Sequence, residues 1–145
     1  MILQASPDYA SFSEKLGAIF DVCSRVKAYR GISLLNLRVW LVPAIELNQV
    51  VIFYDVTGAA TAYFAWAYLN EQESLRFVQD SGAPLSHHQR LEGEQFWITD
   101  LVATTGAFPL VKQYIRNVLM REVETVRYKK RRAHRFVCLK AEIEG

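Results

Sequence analysis

One acid set inside an apolar strand constrains this chain most. Gly93-Glu94-Gln95-Phe96-Trp97-Ile98-Thr99-Asp100-Leu101-Val102-Ala103 has strand formers at 96–98 and apolar residues at 101–103, with Asp100 between them. An unpaired carboxylate in such a run is very costly to bury. Asp100 must therefore be solvated at a cleft, paired or kept protonated. The chain has 145 residues, 51% of them hydrophobic and 12% aromatic, which is enough to build one real core, so 1–145 is read as a single domain.

The flanking chain supplies helices and strands in a legible order. Ser6-Pro7-Asp8 signals a helix start, and Tyr9, Phe12, Leu16, Ile19, Phe20, Cys23 and Val26 follow at helical spacing. Arg30-Gly31 reads as its end, with Gly31 a left-handed cap. Pro43 argues against one continuous helix over 32–47, so a loop or short element and a helical turn at 44–47 are expected. Residues 49–54 and 59–69 form a hairpin about Asp55-Val56-Thr57-Gly58, the second strand carrying Tyr63, Phe64, Trp66 and Tyr68 among alanines. Asn70 caps a short helix to Gln79. Residues 80–94 read as a polar surface loop with a short helix at 85–91. After the 95–103 strand, Thr104-Thr105-Gly106 starts a helix to about Arg121, with Leu110, Val111, Tyr114, Ile115, Val118 and Leu119 facing inward. Strands at 123–128 and 135–139 close the chain. This order predicts a mixed α/β domain with helices packed against one sheet. The turn at 104–106 is either an ordinary strand-to-helix connection or an approach for an anion or a pantetheine arm.

Composition excludes several classes. A net charge of +2 does not by itself imply nucleic acid, although 127–135 reads Arg-Tyr-Lys-Lys-Arg-Arg-Ala-His-Arg. A charged hairpin turn explains that run, and an acidic protein suits it as well as a phosphate backbone. Cys23 and Cys138 have no metal spacing and read as free thiols, and His87-His88 reads as a solvated loop pair, so no metal is expected. No signal peptide, membrane span, phosphate loop, dinucleotide fingerprint or serine-nucleophile motif is present, and a cytoplasmic location is expected.

Several blocks, taken together and in order, resemble the RTX toxin-activating lysine acyltransferases of the haemolysin C type. They are Leu41-Val42-Pro43-Ala44-Ile45-Glu46-Leu47-Asn48-Gln49, Ala62-Tyr63-Phe64-Ala65-Trp66-Ala67, Gly93 with Trp97 to Ala103, and Val126-Arg127. The resemblance covers about 20–140 and implies a fold like the GNAT acetyltransferases. It also implies transfer of a fatty acyl group from acyl carrier protein, with no bound cofactor, to a lysine of an acceptor polypeptide such as an RTX toxin or a small peptide. A homodimer stays open.

The family's catalytic pair is a histidine and an aspartate. The aspartate matches Asp100, and an ungapped count from Pro43 puts Tyr29 at the histidine's position. A phenol is a poor base at neutral pH but can donate to an oxyanion. Three readings follow. Asp100 acts alone as base with Tyr29 orienting the thioester, or His87 or His88 swings in, or the cleft persists as a binding module without turnover. The expected donor- and substrate-binding set is Arg30, Asn48, Trp66, Gly93, Trp97, Arg127, Lys129, Lys130 and Arg131, with an acyl slot lined by Phe64, Trp66 and Trp97. Outside the family, a nucleic-acid adaptor using the basic run is the remaining alternative.

Overall fold

A computed structural model describes residues 4–5, 11–79, 84–129 and 136–140, with 4–5 and 136–140 described by backbone alone. The expectations at 6–9 and 80–82, and the side chains of Lys130 and Arg131, lie outside the described residues.

Two long strands lie at the centre of the sheet. Strand β2 (Val50–Tyr54) and β3 (Ala60–Leu69) form the expected hairpin, and β4 (Gln95–Ala103) pairs antiparallel with β3 at the bounds read from sequence. Gly58 closes the hairpin with φ of 85°, a conformation glycine adopts without strain. A short β1 (Gln4–Ala5) adds to β2, and β5 (Thr125–Lys129) and β6 (Phe136–Lys140) complete a sheet ordered β1-β2-β3-β4-β5-β6. All pairs are antiparallel except β4–β5. That parallel pair needs the helical crossover supplied by residues 108–122.

Helix α1 (Phe12–Ser24) starts at Ser11, whose hydroxyl accepts the Glu14 amide at 3.1 Å. It ends before the expected Arg30-Gly31 stop and passes through a 3₁₀ turn at Lys27–Tyr29; Gly31 has no positive φ and is not a left-handed cap. Helix α2 (Leu34–Glu46) corrects the reading of 32–47, because it runs unbroken through Pro43. The carbonyl that Pro43 strands is that of Val39, an exposed position open to water, and the packed face of Leu37, Leu41, Ala44 and Ile45 offsets the loss. Helix α3 (Glu71–Gln79) is capped as expected, Asn70 Oδ1 accepting the Glu73 amide at 2.8 Å. Residues 87–91 form turns rather than a helix.

The crossover also departs from expectation. Gly106, at φ of 87°, and the Ala107-to-Thr104 hydrogen bond make a separate turn, so α4 starts at Phe108 and runs to Tyr114. It then widens into a π-helical stretch at Ile115–Leu119 before α5 (Met120–Glu122). The wider turn rotates the apolar face, which leaves Val118 exposed instead of inward.

Each face of the sheet has its own core. Val50, Ile52, Tyr63, Ala65 and Val102 pack under α1 and α2, while Phe53, Ala62, Phe64, Phe96 and Ile98 pack under Val111 and Ile115. Gly93 fixes how the 84–94 segment meets the end of β3. A Cβ there would sit 1.7 Å from the Leu69 carbonyl carbon, and the Gly93 amide bonds the Tyr68 carbonyl at 3.1 Å. Gly93→Ala is expected to lower stability by about 3 kcal/mol, read as a fall in the urea midpoint, because the obstruction is backbone and cannot rotate away.

Candidate active site

The site begins with a break in strand alternation. Ala65 opposes Asp100 and Trp66 opposes Ile98, so Thr99 is an extra residue on β4, a β-bulge. Before the bulge, Phe96 and Ile98 face the α4 side. After it, Asp100 shares the α1/α2 side with Val102. A regular strand would have put residues 96, 98 and 100 on one face. The small Ala65 directly across leaves room for the carboxylate.

Two phenols converge on Asp100. Tyr29, from the 3₁₀ turn after α1, donates to Oδ1 at 3.0 Å, and Tyr63 of β3, fully buried, donates to Oδ2 at 2.5 Å. The Cys23 sulfur lies 3.6 Å from the Tyr63 oxygen. The phenol has one proton and the carboxylate contact is far shorter, so Tyr63 donates to Asp100 and the Cys23 thiol donates to Tyr63. Burial pushes the Cys23 thiol up to about 11, opposed by its bond to Tyr63 and assisted by the Asp100 charge. Burial, then the same charge, holds Tyr63 well above the usual phenol range. Asp100 and Tyr29 are half-buried, so the pair reaches the surface while Tyr63 and Cys23 back it from inside.

A buried arginine ties the bulge. Arg90 is 1% exposed; its Nε donates to Gln49 Oε1 at 3.0 Å, and Nη2 donates to the Trp66 carbonyl at 2.8 Å and Thr99 Oγ1 at 3.3 Å. Thr99 in turn donates to the Ala65 carbonyl at 3.3 Å. Burial lowers the Arg90 pKa to about 10, with Asp100 acting in the opposite sense, so the guanidinium stays cationic at neutral pH. The pairing of β4 with β5, Trp97–Arg127 and Ile98–Tyr128, ends immediately before the bulge.

The remaining expected residues scatter. Arg30 donates to the Ser24 carbonyl at the end of α1, and Asn48 accepts from Lys15 at the end of α2. Trp66 stacks on Phe96 on the α4 side, whereas Trp97 is buried under α3, bonded to Ser74 and edge-on to Phe77. The two tryptophans therefore do not share one slot with Phe64. Gly93 meets the Leu69 backbone, and Arg127 and Lys129 lie on β5. His87 sits 3.5 Å from Glu46, and His88 contacts Glu92. Sequence reasoning missed Tyr63, Cys23 and Arg90 as a group. Tyr63 read as a hairpin aromatic, Cys23 as a plain thiol, and Arg90 was hidden in a turn-rich polar stretch.

Comparison with known proteins bears on this arrangement. The profile of the RTX toxin acyltransferase (HlyC) family matches residues 9–140. The chain belongs to that family. Among its relatives, the RTX-II toxin-activating lysine-acyltransferase ApxIIC of Actinobacillus pleuropneumoniae is 30% identical over 101 residues, covering 70% of this chain and 62% of that protein. The protein-lysine myristoyltransferase RtxC of Kingella kingae is 27% identical over 107 residues, 74% of this chain and 62% of that protein. The chain thus spans about three-fifths of the length of these curated relatives. A GNAT-like decarboxylase, GphF, solved with isobutyryl-CoA, superposes with a TM-score of 0.56 at 13% identity over 88% of this chain and 65% of its own. The fold of this RTX toxin acyltransferase family member is GNAT-like.

Two outcomes test the site's construction. Arg90→Met leaves Gln49, Thr99 and the Trp66 carbonyl without their donor in the interior and is expected to cost about 3 kcal/mol or more in denaturant unfolding. The raised Cys23 pKa means the folded state holds a proton that the unfolded state releases from about 9 upward. Stability is therefore full below about 9 and lost as pH rises through about 11, with Tyr63 adding in the same direction. Urea midpoints measured across this range should fall for the native chain and fall less for Cys23→Ala.

Proposed function

We propose that this protein transfers a fatty acyl group from an acyl carrier protein thioester to a lysine ε-amine of an acceptor polypeptide, such as an RTX toxin or a small peptide. The observation that carries the reading is the hydrogen bond from Tyr29 to Asp100, at 3.0 Å, in a chain of this family. The names of its relatives, a toxin-activating lysine-acyltransferase and a protein-lysine myristoyltransferase, support the reaction class.

The chemistry needs three things. A lysine ammonium must lose a proton, its nitrogen must attack the thioester carbonyl, and the thiolate must leave. Asp100 is the acceptor for the ammonium proton, held in place by Tyr63 from behind. Tyr29 has lost the imidazole's capacity to shuttle protons near neutrality, but its phenol can turn its donor from Asp100 toward the developing oxyanion. As the tetrahedral intermediate collapses, the C–S bond breaks, the attacking nitrogen gives its second proton to the departing thiolate and the amide forms, while the first proton passes from Asp100 to solvent. In this reading the thioester enters where β4 and β5 cease to pair after Ile98, and the acceptor approaches from the α1/α2 side that Asp100 faces. Arg127 and Lys129 on β5, with Lys130 and Arg131 next in sequence, supply positive charge for an acidic carrier. A cytoplasmic setting follows from a carrier-protein donor. Among the described residues, no helix is long and apolar enough to cross a membrane.

The phenol in place of the histidine also supports a second reading, a binding module that retains the cleft without turnover. Intact-mass spectrometry separates the two. Incubation with acyl carrier protein charged with a fatty acid and a lysine-bearing RTX toxin segment should add one acyl mass to the acceptor. Tyr29→Phe should slow this about 10²-fold, the loss of an oxyanion donor, and Tyr29→His should keep it, with activity extending to lower pH. Saturable carrier binding with no adduct under any of these conditions would establish the binding module instead.

A further inference from the structure

A second concave site lies between α1 and α2, at the end of α1 away from Tyr29. It has a volume of about 530 Å³ and is lined by Phe12, Lys15, Arg38, Val42, Ile45 and Glu46. Its unusual member is Lys15, which is only 5% exposed although its side chain ends in an ammonium. That ammonium has one hydrogen bond, to the neutral Asn48 Oδ1 at 2.8 Å. Asn48 is held for this contact at the turn from α2 to β2, in the left-handed region at φ of 55°. Among the described residues no carboxylate lies within ion-pairing distance of Lys15, and Glu46 sits instead 3.5 Å from His87. An ammonium has three donors, and among the described residues one of them is taken, by Asn48. A buried cation held by one neutral acceptor is better matched by an anionic partner.

The rest of the lining says what kind of anion fits. Arg38 is exposed at the rim and adds a second cation. Phe12, Val42 and Ile45 form an apolar wall. Glu46 limits the net positive charge, which disfavours a doubly charged headgroup. We propose that this groove binds a small amphiphilic monoanion, a carboxylate on an aliphatic stem. Its headgroup lies between Lys15 and Arg38, and its stem runs along Phe12, Val42 and Ile45. The site is separate from Asp100 and does not depend on the acyl-transfer reading.

Isothermal titration calorimetry on the full chain tests this with decanoate below its micelle concentration, inorganic phosphate and decyltrimethylammonium. Decanoate should bind saturably, with phosphate and the cationic amphiphile at least about tenfold weaker. Lys15→Met should weaken decanoate about tenfold or more, the loss of a charged hydrogen bond, with a melting temperature equal to or above the native one. Arg38→Gln, at an exposed position, should weaken it less and keeps the test valid if Lys15→Met does not fold. The proposal fails if decanoate gives no saturable heat or if the cationic amphiphile binds equally well. It also fails if phosphate matches decanoate, or if affinity survives unchanged in folded Lys15→Met or, where that variant does not fold, in Arg38→Gln.

Discussion

The site depends on one buried tie, the guanidinium of Arg90 gripping the bulge in β4. Arg90 reaches Gln49, the Trp66 carbonyl and Thr99 from a segment that precedes β4 in the chain. Without donors for these groups, an extra residue in a central strand would leave polar atoms unsatisfied in the interior. With them, the bulge is stable, and its consequence is geometric. Every β4 residue after Thr99 changes face, and Asp100 turns from the α4 side toward Tyr29 and Tyr63. The awkward acid of the apolar run is neither isolated nor simply solvated. It is paired with two phenols, and its charge is felt by the arginine that shaped the strand.

The division of labour between the two faces follows from the same bulge. The α4 side holds Phe64, Trp66 and Phe96 beside the line where β4 and β5 stop pairing. The α1/α2 side holds the acid and its phenols. A reaction that joins a donor and an acceptor needs access from two directions to one group, and half-buried Asp100 lies at that junction. Tyr29 pairs with Asp100 through a phenol rather than an imidazole. In the proposed transfer the carboxylate therefore takes the proton.

Much of this was legible in the residues, and the exceptions have physical causes. The bounds of β4, the hairpin and the Asn70 cap followed from periodicity and turn chemistry, because those signals are local. The family resemblance singled out Tyr29 and Asp100, and the structure shows them hydrogen-bonded. The bulge did not, since period-two alternation places Asp100 with Phe96 and Ile98, and only tertiary bonding to Arg90 overrides it. Helix α2 crossing Pro43 was missed because the packing of Leu37, Leu41, Ala44 and Ile45 outweighs one lost hydrogen bond. The tryptophans were expected in one slot between splayed strands because residue type alone does not report which face of the sheet a residue takes; Trp97 and Trp66 lie in different clusters.

The central claim is that Asp100 is the proton acceptor for transfer of an acyl group to a lysine. The most direct measurement is the single-turnover rate of acceptor acylation by Asp100→Asn, with carrier and acceptor affinities measured alongside. Asparagine keeps the size and accepts one of the two phenol hydrogen bonds through its single oxygen, but cannot take up a proton. The account predicts a loss of about 10²–10⁴-fold in rate with both affinities unchanged. A rate equal to that of the native chain, or no acylation by the native chain itself, would contradict it.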